Sequence, residues 1–299
     1  MPRCKSRGII FGMCVKMKYS KSFNVIPTNL TKGEAIDLKF YSRIQIEPSH
    51  PSYIDANHIF SQERFKYPYL PLYLGNEEID PHCVNLNVLR LIIRENNVNA
   101  KICIPKELSP LTDFCLKHIN YHHQFYPANT NCFIYLTIRV TDDECYYKNS
   151  QTWHIDGFQG SKLTRHIPEQ TILWSNTNPT EFSIQPYFLE GLNPSKHNIH
   201  KFFHDNAFGP FYKGIKNGTY LLTPYNVHRV SNEEFKGRRL FVRLTFSPVE
   251  IEDYTNTFNP MMEKFTYPTR EDVRDFFWDY QGENTEGFEL LNFRLEADK

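Results

Sequence analysis

Arg238-Arg239-Leu240-Phe241-Val242-Arg243-Leu244-Thr245-Phe246 is the run whose reading decides the fold. Successive residues of a β-strand point to opposite faces, so the run divides at period two. Leu240, Val242, Leu244 and Phe246 make an unbroken apolar face suited to a core. Arg239, Phe241, Arg243 and Thr245 make the other. An arginine and a threonine in mid-strand, behind a core face, need water or a ligand in front of them, and the inside of a β-barrel supplies that setting. Just upstream, Gly218-Thr219-Tyr220-Leu221-Leu222-Thr223-Pro224-Tyr225-Asn226-Val227-His228-Arg229-Val230 is a second β-rich run, ending in a histidine. Cys132-Phe133-Ile134-Tyr135-Leu136-Thr137-Ile138-Arg139-Val140 is a third, with Ile134, Leu136, Ile138 and Val140 on one face.

Between these strands lies Trp153-His154-Ile155-Asp156-Gly157-Phe158-Gln159-Gly160. In extended backbone His154 and Asp156 project from the same side and can converge on one ion. With His228 as third ligand they would make a 2-His-1-carboxylate site with open positions, the donor set of non-haem Fe(II) oxygenases. Other readings of the same residues stay open at this level. Asp156 can accept backbone bonds in a turn before Gly157 while His154 packs, and His228 can be a solvent-facing strand end. His197, His200 and His204 are rival ligands, and Arg243 can be a structural ion-pair partner.

The order His-x-Asp, distal His, then Arg-x-Thr on the following strand resembles the Fe(II)/2-oxoglutarate-dependent dioxygenase superfamily. Its style is closest to the taurine-dioxygenase and phytanoyl-hydroxylase members, although the interval between the two histidine motifs is shorter than in the taurine branch. The resemblance spans about residues 130 to 248. It implies a mainly β fold with flanking helices around a double-stranded β-helix, a jelly-roll or cupin-like barrel. It further implies that His154, Asp156 and His228 bind Fe(II) and that Arg243 pairs with the distal carboxylate of 2-oxoglutarate. A planar guanidinium matches both oxygens of a carboxylate, which lysine does not. Thr245 would stand beside that carboxylate, with Thr180 and Arg239 as further cosubstrate contacts. The implied reaction consumes O2 and 2-oxoglutarate, releases succinate and CO2, and hydroxylates a C–H bond of a substrate, a small molecule being favoured. The rival classes are a cupin-like metal hydrolase or isomerase and a non-catalytic jelly-roll binding or assembly protein. The hydrolase or isomerase has no reason to place Arg-x-Thr where Arg243 and Thr245 stand, and convergence of His154, Asp156 and His228 would argue against the non-catalytic protein.

Around the strands the pattern divides into a tail and helix/loop-rich region over 1–129, the β core over 130–250, and an acidic helical extension over 251–299, together one compact domain. Ser109-Pro110 reads as an N-cap and first turn of a helix whose stripe is Leu111, Phe114, Cys115, His118, Ile119 and His122. The spacing of His118 and His122 would suit zinc, but the residue after His118 is Ile119 rather than the glutamate of a metalloprotease, and a core-facing role is the better reading. Val88–Arg94 reads as a short helix with a strand as the alternative, and Thr269 caps another helix that presents Val273, Phe276, Phe277 and Tyr280. The net charge is +0, which gives no electrostatic footprint for a long nucleic acid. The charge is nonetheless polarised: Arg3, Lys5, Arg7, Lys16, Lys18, Lys21 and Lys32 precede the first acid, Glu34. Seven cysteines without Cys-x-x-Cys argue against zinc ribbons and a disulfide framework, and fit a reducing intracellular compartment, the cytoplasm before an organelle. No apolar run reaches membrane-spanning length, so no membrane partner is expected.

Overall fold

The computed structural model describes residues 30–39, 65–79, 84–94, 99–125, 132–141, 152–156, 170–189, 199–231, 235–247 and 256–262. The helix expected from Thr269 lies outside them. The strands are β1 (Glu34–Lys39), β2 (Leu72–Asn76), β3 (Leu86–Arg90), β4 (Ile92–Arg94), β5 (Asn99–Ile104), β6 (Phe133–Thr141), β7 (Gln170–Ser175), β8 (Thr180–Ser183), β9 (Phe211–Lys213), β10 (Gly218–Leu222), β11 (His228–Val230) and β12 (Arg239–Ser247). Helices α1 (Thr112–Phe125) and α2 (Ile199–Asn206) flank them. The protein is thus mainly β with short flanking helices.

All strand pairs are antiparallel, in three sheets. A six-stranded sheet runs β2-β10-β7-β12-β6-β3, with three-stranded sheets β1-β5-β4 and β11-β8-β9 beside it. The alternation of β12 explains the layering. Leu240, Val242, Leu244 and Phe246 are essentially inaccessible and join one core with Ile172 and Trp174 of β7, Ile134, Leu136 and Ile138 of β6, the β1-β5-β4 sheet and α1. The other face of the same strands contributes Leu173, Tyr220, Leu222 and Phe241 to a smaller cluster with Phe182 of β8 and Tyr212 of β9. The six-stranded sheet is therefore covered on both sides, which is why every residue of β7 and β10 is buried. A third cluster gathers Phe65, Trp153, Ile155, Phe203, Tyr225 and Val227 at the end of the three-stranded sheet that carries β11.

Two sequence expectations need correction. Val88–Arg94 is not helical: it is divided between β3, which pairs with β6, and β4, which pairs with β5. Leu89, Leu91 and Ile92 are fully buried, and no single helical stripe would bury three positions so closely spaced. The register of β3 shifts between Leu86 and Leu89, where Val88 takes φ 49°. This bulge turns both leucines into the core at the expense of a strained β-branched residue. The helix expected from Ser109-Pro110 starts slightly later, because those residues belong to a 3-10 turn over Lys106–Leu111 and α1 proper begins at Thr112. Its predicted stripe is buried throughout, from Leu111 to His122.

Residues 256–262 act as a strap. Asn259 Nδ2 donates to Arg90 O at 2.8 Å and Cys103 O at 3.0 Å, and Thr257 exchanges hydrogen bonds with the backbone of Asn87. The strap joins the β1-β5-β4 sheet to the edge of the six-stranded one. Among the described residues no helix is long and apolar enough to cross a membrane.

Candidate metal centre

His154 and His228 meet across an isolated antiparallel bridge. Each N–H donates to the other's carbonyl at 2.9 Å, so the two residues face each other directly and their side chains leave the same side. Their ring centroids lie 4.4 Å apart. Asp156, two residues beyond His154, returns to that side. One ligand atom from each of His154, Asp156 and His228 lies within 4.8 Å of the others, a group of donors able to hold one metal ion. His228 Nε2 is 3.7 Å from Asp156 Oδ2.

The backbone selects the tautomer of each ring. His154 Nδ1 lies 2.8 Å from Thr152 O, and His228 Nδ1 lies 2.8 Å from Asn226 O. A carbonyl only accepts, so each Nδ1 carries the proton and each Nε2 presents a lone pair. Burial, then the neighbouring His228, pushes His154 down to about 4; at neutral pH it is the uncharged imidazole that ligation requires.

Behind the centre the chain is held on several sides. Asn226 accepts from Thr223 N at 2.8 Å and donates to Tyr69 O at 2.8 Å, fixing the turn that delivers His228. Ser183 N donates to Val227 O at 2.8 Å, setting β11 against β8. The residues next to the two histidines pack together on the outer face: the Arg229 guanidinium lies 4.4 Å from the Trp153 ring and pairs with Glu181 at 2.8 Å. Trp153 stacks on Phe211 at 4.6 Å, and Ser231 Oγ donates to Glu181 at 2.8 Å. Asn226, Glu181 and Arg229 were not among the sequence candidates. Their signal was alternation: Arg229 and Glu181 are the outward residues beside His228 and Phe182, and cross-strand partners in register.

The residues expected to hold a cosubstrate are distributed unevenly. Arg243, central on β12 opposite Thr137 and Leu173, reaches the metal donors: its Nη1 donates to Asp156 Oδ1 at 3.3 Å. Thr245 is buried on the same face, opposite Thr171 of β7. Arg239 lies four residues in the other direction, where its Nε donates to Asn178 O at 3.1 Å and its guanidinium covers the Phe241 ring at 5.1 Å. Thr180 is buried opposite Val230, and its carbonyl accepts from Gly214 N at 2.9 Å. Below them Tyr220 Oη accepts from Ile215 N at 2.9 Å; burial pushes this phenol well above its ordinary range.

Of the rival histidines, none that the structure describes joins this group of donors. His204 is exposed on α2, and His197 lies outside the described residues. His118 and His122 are buried on α1, with Nε2 engaged by Glu77 and by Gln170.

No family model and no curated protein matches the chain. Among solved structures it is similar to the apo Kdo hydroxylase KdoO, a non-haem Fe(II) α-ketoglutarate-dependent dioxygenase, with a TM-score of 0.37, 10% identity, and 64% of this chain and 83% of that one covered. It is also similar to HygX from Streptomyces hygroscopicus bound to nickel and 2-oxoglutarate, with a TM-score of 0.23, 12% identity, and 39% and 55% covered. Likenesses this distant do not fix an activity.

Proposed function

We propose that this chain is a non-haem Fe(II)- and 2-oxoglutarate-dependent oxygenase that hydroxylates a C–H bond of a small-molecule substrate in a reducing intracellular compartment. The β11-β8-β9 sheet and the facing side of the six-stranded sheet would be the two walls of a double-stranded β-helix. The observation that carries this reading is the convergence of His154, Asp156 and His228, with both Nε2 lone pairs set by backbone acceptors. Three facial donors leave three positions of an octahedral ion for other ligands, and His and Asp suit ferrous iron better than a thiolate-seeking metal. Iron, when bound with O2 and 2-oxoglutarate, supplies the oxidising chemistry and releases succinate and CO2.

The protein's own residues would bind, orient and exclude water. Arg243 would take the distal carboxylate of 2-oxoglutarate, and its buried Nε, without a hydrogen-bond partner among the described residues, leaves a donor for that purpose. Thr245 and Thr180 would add neutral contacts, and Arg239 a second positive charge. Tyr212, Tyr220, Phe182 and Phe241 form an apolar floor that keeps bulk water from the reacting atoms.

The test is anaerobic addition of Fe(II) and 2-oxoglutarate to the purified protein. A metal-to-ligand charge-transfer band is expected, absent in Asp156→Ala and demanding more 2-oxoglutarate in Arg243→Ala. No band in the wild-type protein would overturn the assignment. A succinate-release screen across substrate classes, with Asp156→Ala as the control, would then identify the molecule oxidised.

A further inference from the structure

We propose that the Arg243–Asp156 contact makes metal and dicarboxylate bind as a linked pair: the Arg243 charge holds metal affinity down until a carboxylate neutralises it. This rests on the reading of His154, Asp156 and His228 as metal ligands. The two oxygens of Asp156 are divided between opposite neighbours. Oδ1 receives Arg243 Nη1 at 3.3 Å, and Oδ2 faces His228 Nε2 at 3.7 Å. A metal held by Oδ2 and the two imidazoles would therefore stand close to a guanidinium that never loses its proton.

Arg243 has little freedom to withdraw. It sits mid-way along β12, which is hydrogen-bonded to β6 on one side and to β7 on the other. The Arg243 and Asp156 side chains are only 24% and 23% exposed, so water screens the charges incompletely. Two consequences oppose each other. The contact steers Oδ1 away from the metal, favouring one-oxygen coordination. The positive charge also repels a divalent cation while no anion lies against it.

A dicarboxylate bound at the remaining donor edge of Arg243, where Nε is buried and without a partner among the described residues, reverses the second effect and keeps the first. Metal then binds more tightly when the dicarboxylate is present, and by linkage the dicarboxylate binds more tightly when the metal is present. The guanidinium acts here as a positioning and gating group, in addition to anchoring a carboxylate.

Calorimetric titration of the full chain with Mn(II), with and without saturating glutarate, tests this. Glutarate has two carboxylates but no keto oxygen beside one of them, so it lacks the keto-acid chelate of 2-oxoglutarate. Glutarate should tighten Mn(II) binding to the wild-type protein. Arg243→Gln should bind Mn(II) alone roughly tenfold more tightly than wild type, the direction that removal of a close like charge dictates, and lose the glutarate effect. Arg243→Lys retains the charge and should stay within about threefold of wild type for the metal alone. A residue that only anchored cosubstrate would leave metal-only affinity unchanged, and one that only propped Asp156 would weaken it on substitution. Either result in folded Arg243→Gln, or an absent glutarate effect in wild type, overturns the proposal while leaving the metal site standing. If Arg243→Gln fails to fold, as judged by thermal unfolding, the wild-type glutarate arm decides. Failure of Mn(II) to bind any form, with or without glutarate, would instead bring down the ligand assignment itself and the linkage with it.

Discussion

Two pairs of histidines among the described residues, His118 with His122 and His154 with His228, differ in which ring nitrogen is engaged. On α1, His118 and His122 are 1% and 0% exposed, and each Nε2 is consumed by a side chain, Glu77 or Gln170. His122 also stacks on Phe246 at 3.7 Å, and burial pushes it down to about 3. At the candidate metal centre the acceptors are backbone carbonyls placed at Nδ1, and one ligand atom of each histidine converges with Asp156. Helical spacing put the first pair on one face, and neighbouring side chains took up its Nε2 atoms. A β-bridge put the second pair together beside Asp156, so that one ligand atom of each of the three lies within 4.8 Å of the others. Enclosure alone therefore does not single out a candidate metal site; convergence of three donors does.

The largest effect expected from this contrast is on metal binding. His228→Ala and His154→Ala should lose calorimetric Mn(II) binding, whereas His122→Ala should retain it. Retention by both site variants would erase the distinction between the pairs. His122→Ala should show its effect in stability, since removing a buried, stacked ring costs about 3–5 kcal/mol, readable by denaturant unfolding. Leu244→Ala, on the α1 side of β12, should cost about 2–5 kcal/mol by the same measurement.

Acid sharpens the comparison further. His122 and His154 have folded-state values depressed to about 3 and about 4. Below the ordinary histidine value the unfolded chain takes up protons that the folded one refuses. Stability is thus fully present above about pH 6.5 and falls by about 1.4 kcal/mol per pH unit for each such group as pH drops toward its folded value. His122→Gln should remove its own share of that slope between about pH 6 and 4, measured as unfolding free energy against pH. An unchanged slope would mean that His122 is not held neutral.

Smaller effects belong to the supports. Arg229→Ala removes the cation from Trp153 and Glu181 and should weaken metal binding about tenfold, the scale on which groups behind the ligands act. Thr245→Ala should weaken 2-oxoglutarate binding by only a few-fold, on the order of one neutral hydrogen bond at about 1 kcal/mol. An Arg229→Ala protein with wild-type metal affinity would show that the outer-face cluster is packing alone.

Much of this was legible in the chain because it is periodic or ordered along the sequence. The alternation of β12 separates the dry face from Arg243 and Thr245, and His154, Asp156 and His228 were picked out as the three donors that the fold brings together. What stayed hidden is non-local. Val88–Arg94 resembles a helix because short apolar runs suit either state, and only pairing with β6 and β5 makes it strand. The carbonyls of Thr152 and Asn226 carry no side-chain signal, yet they select the tautomers. Glu77, far from His118 in sequence, takes up the His118 Nε2.

By itself, then, the sequence determined the residue types and their faces: an apolar side of β12 to bury, a polar side to present, and three metal-ligand types in order. The tertiary structure decided which histidines converge with a carboxylate and that Arg243 touches Asp156, residues 87 positions apart. The physical reason is range. Side-chain alternation follows from each residue's own backbone, whereas hydrogen-bond partners and charge neighbours exist only once distant strands have paired.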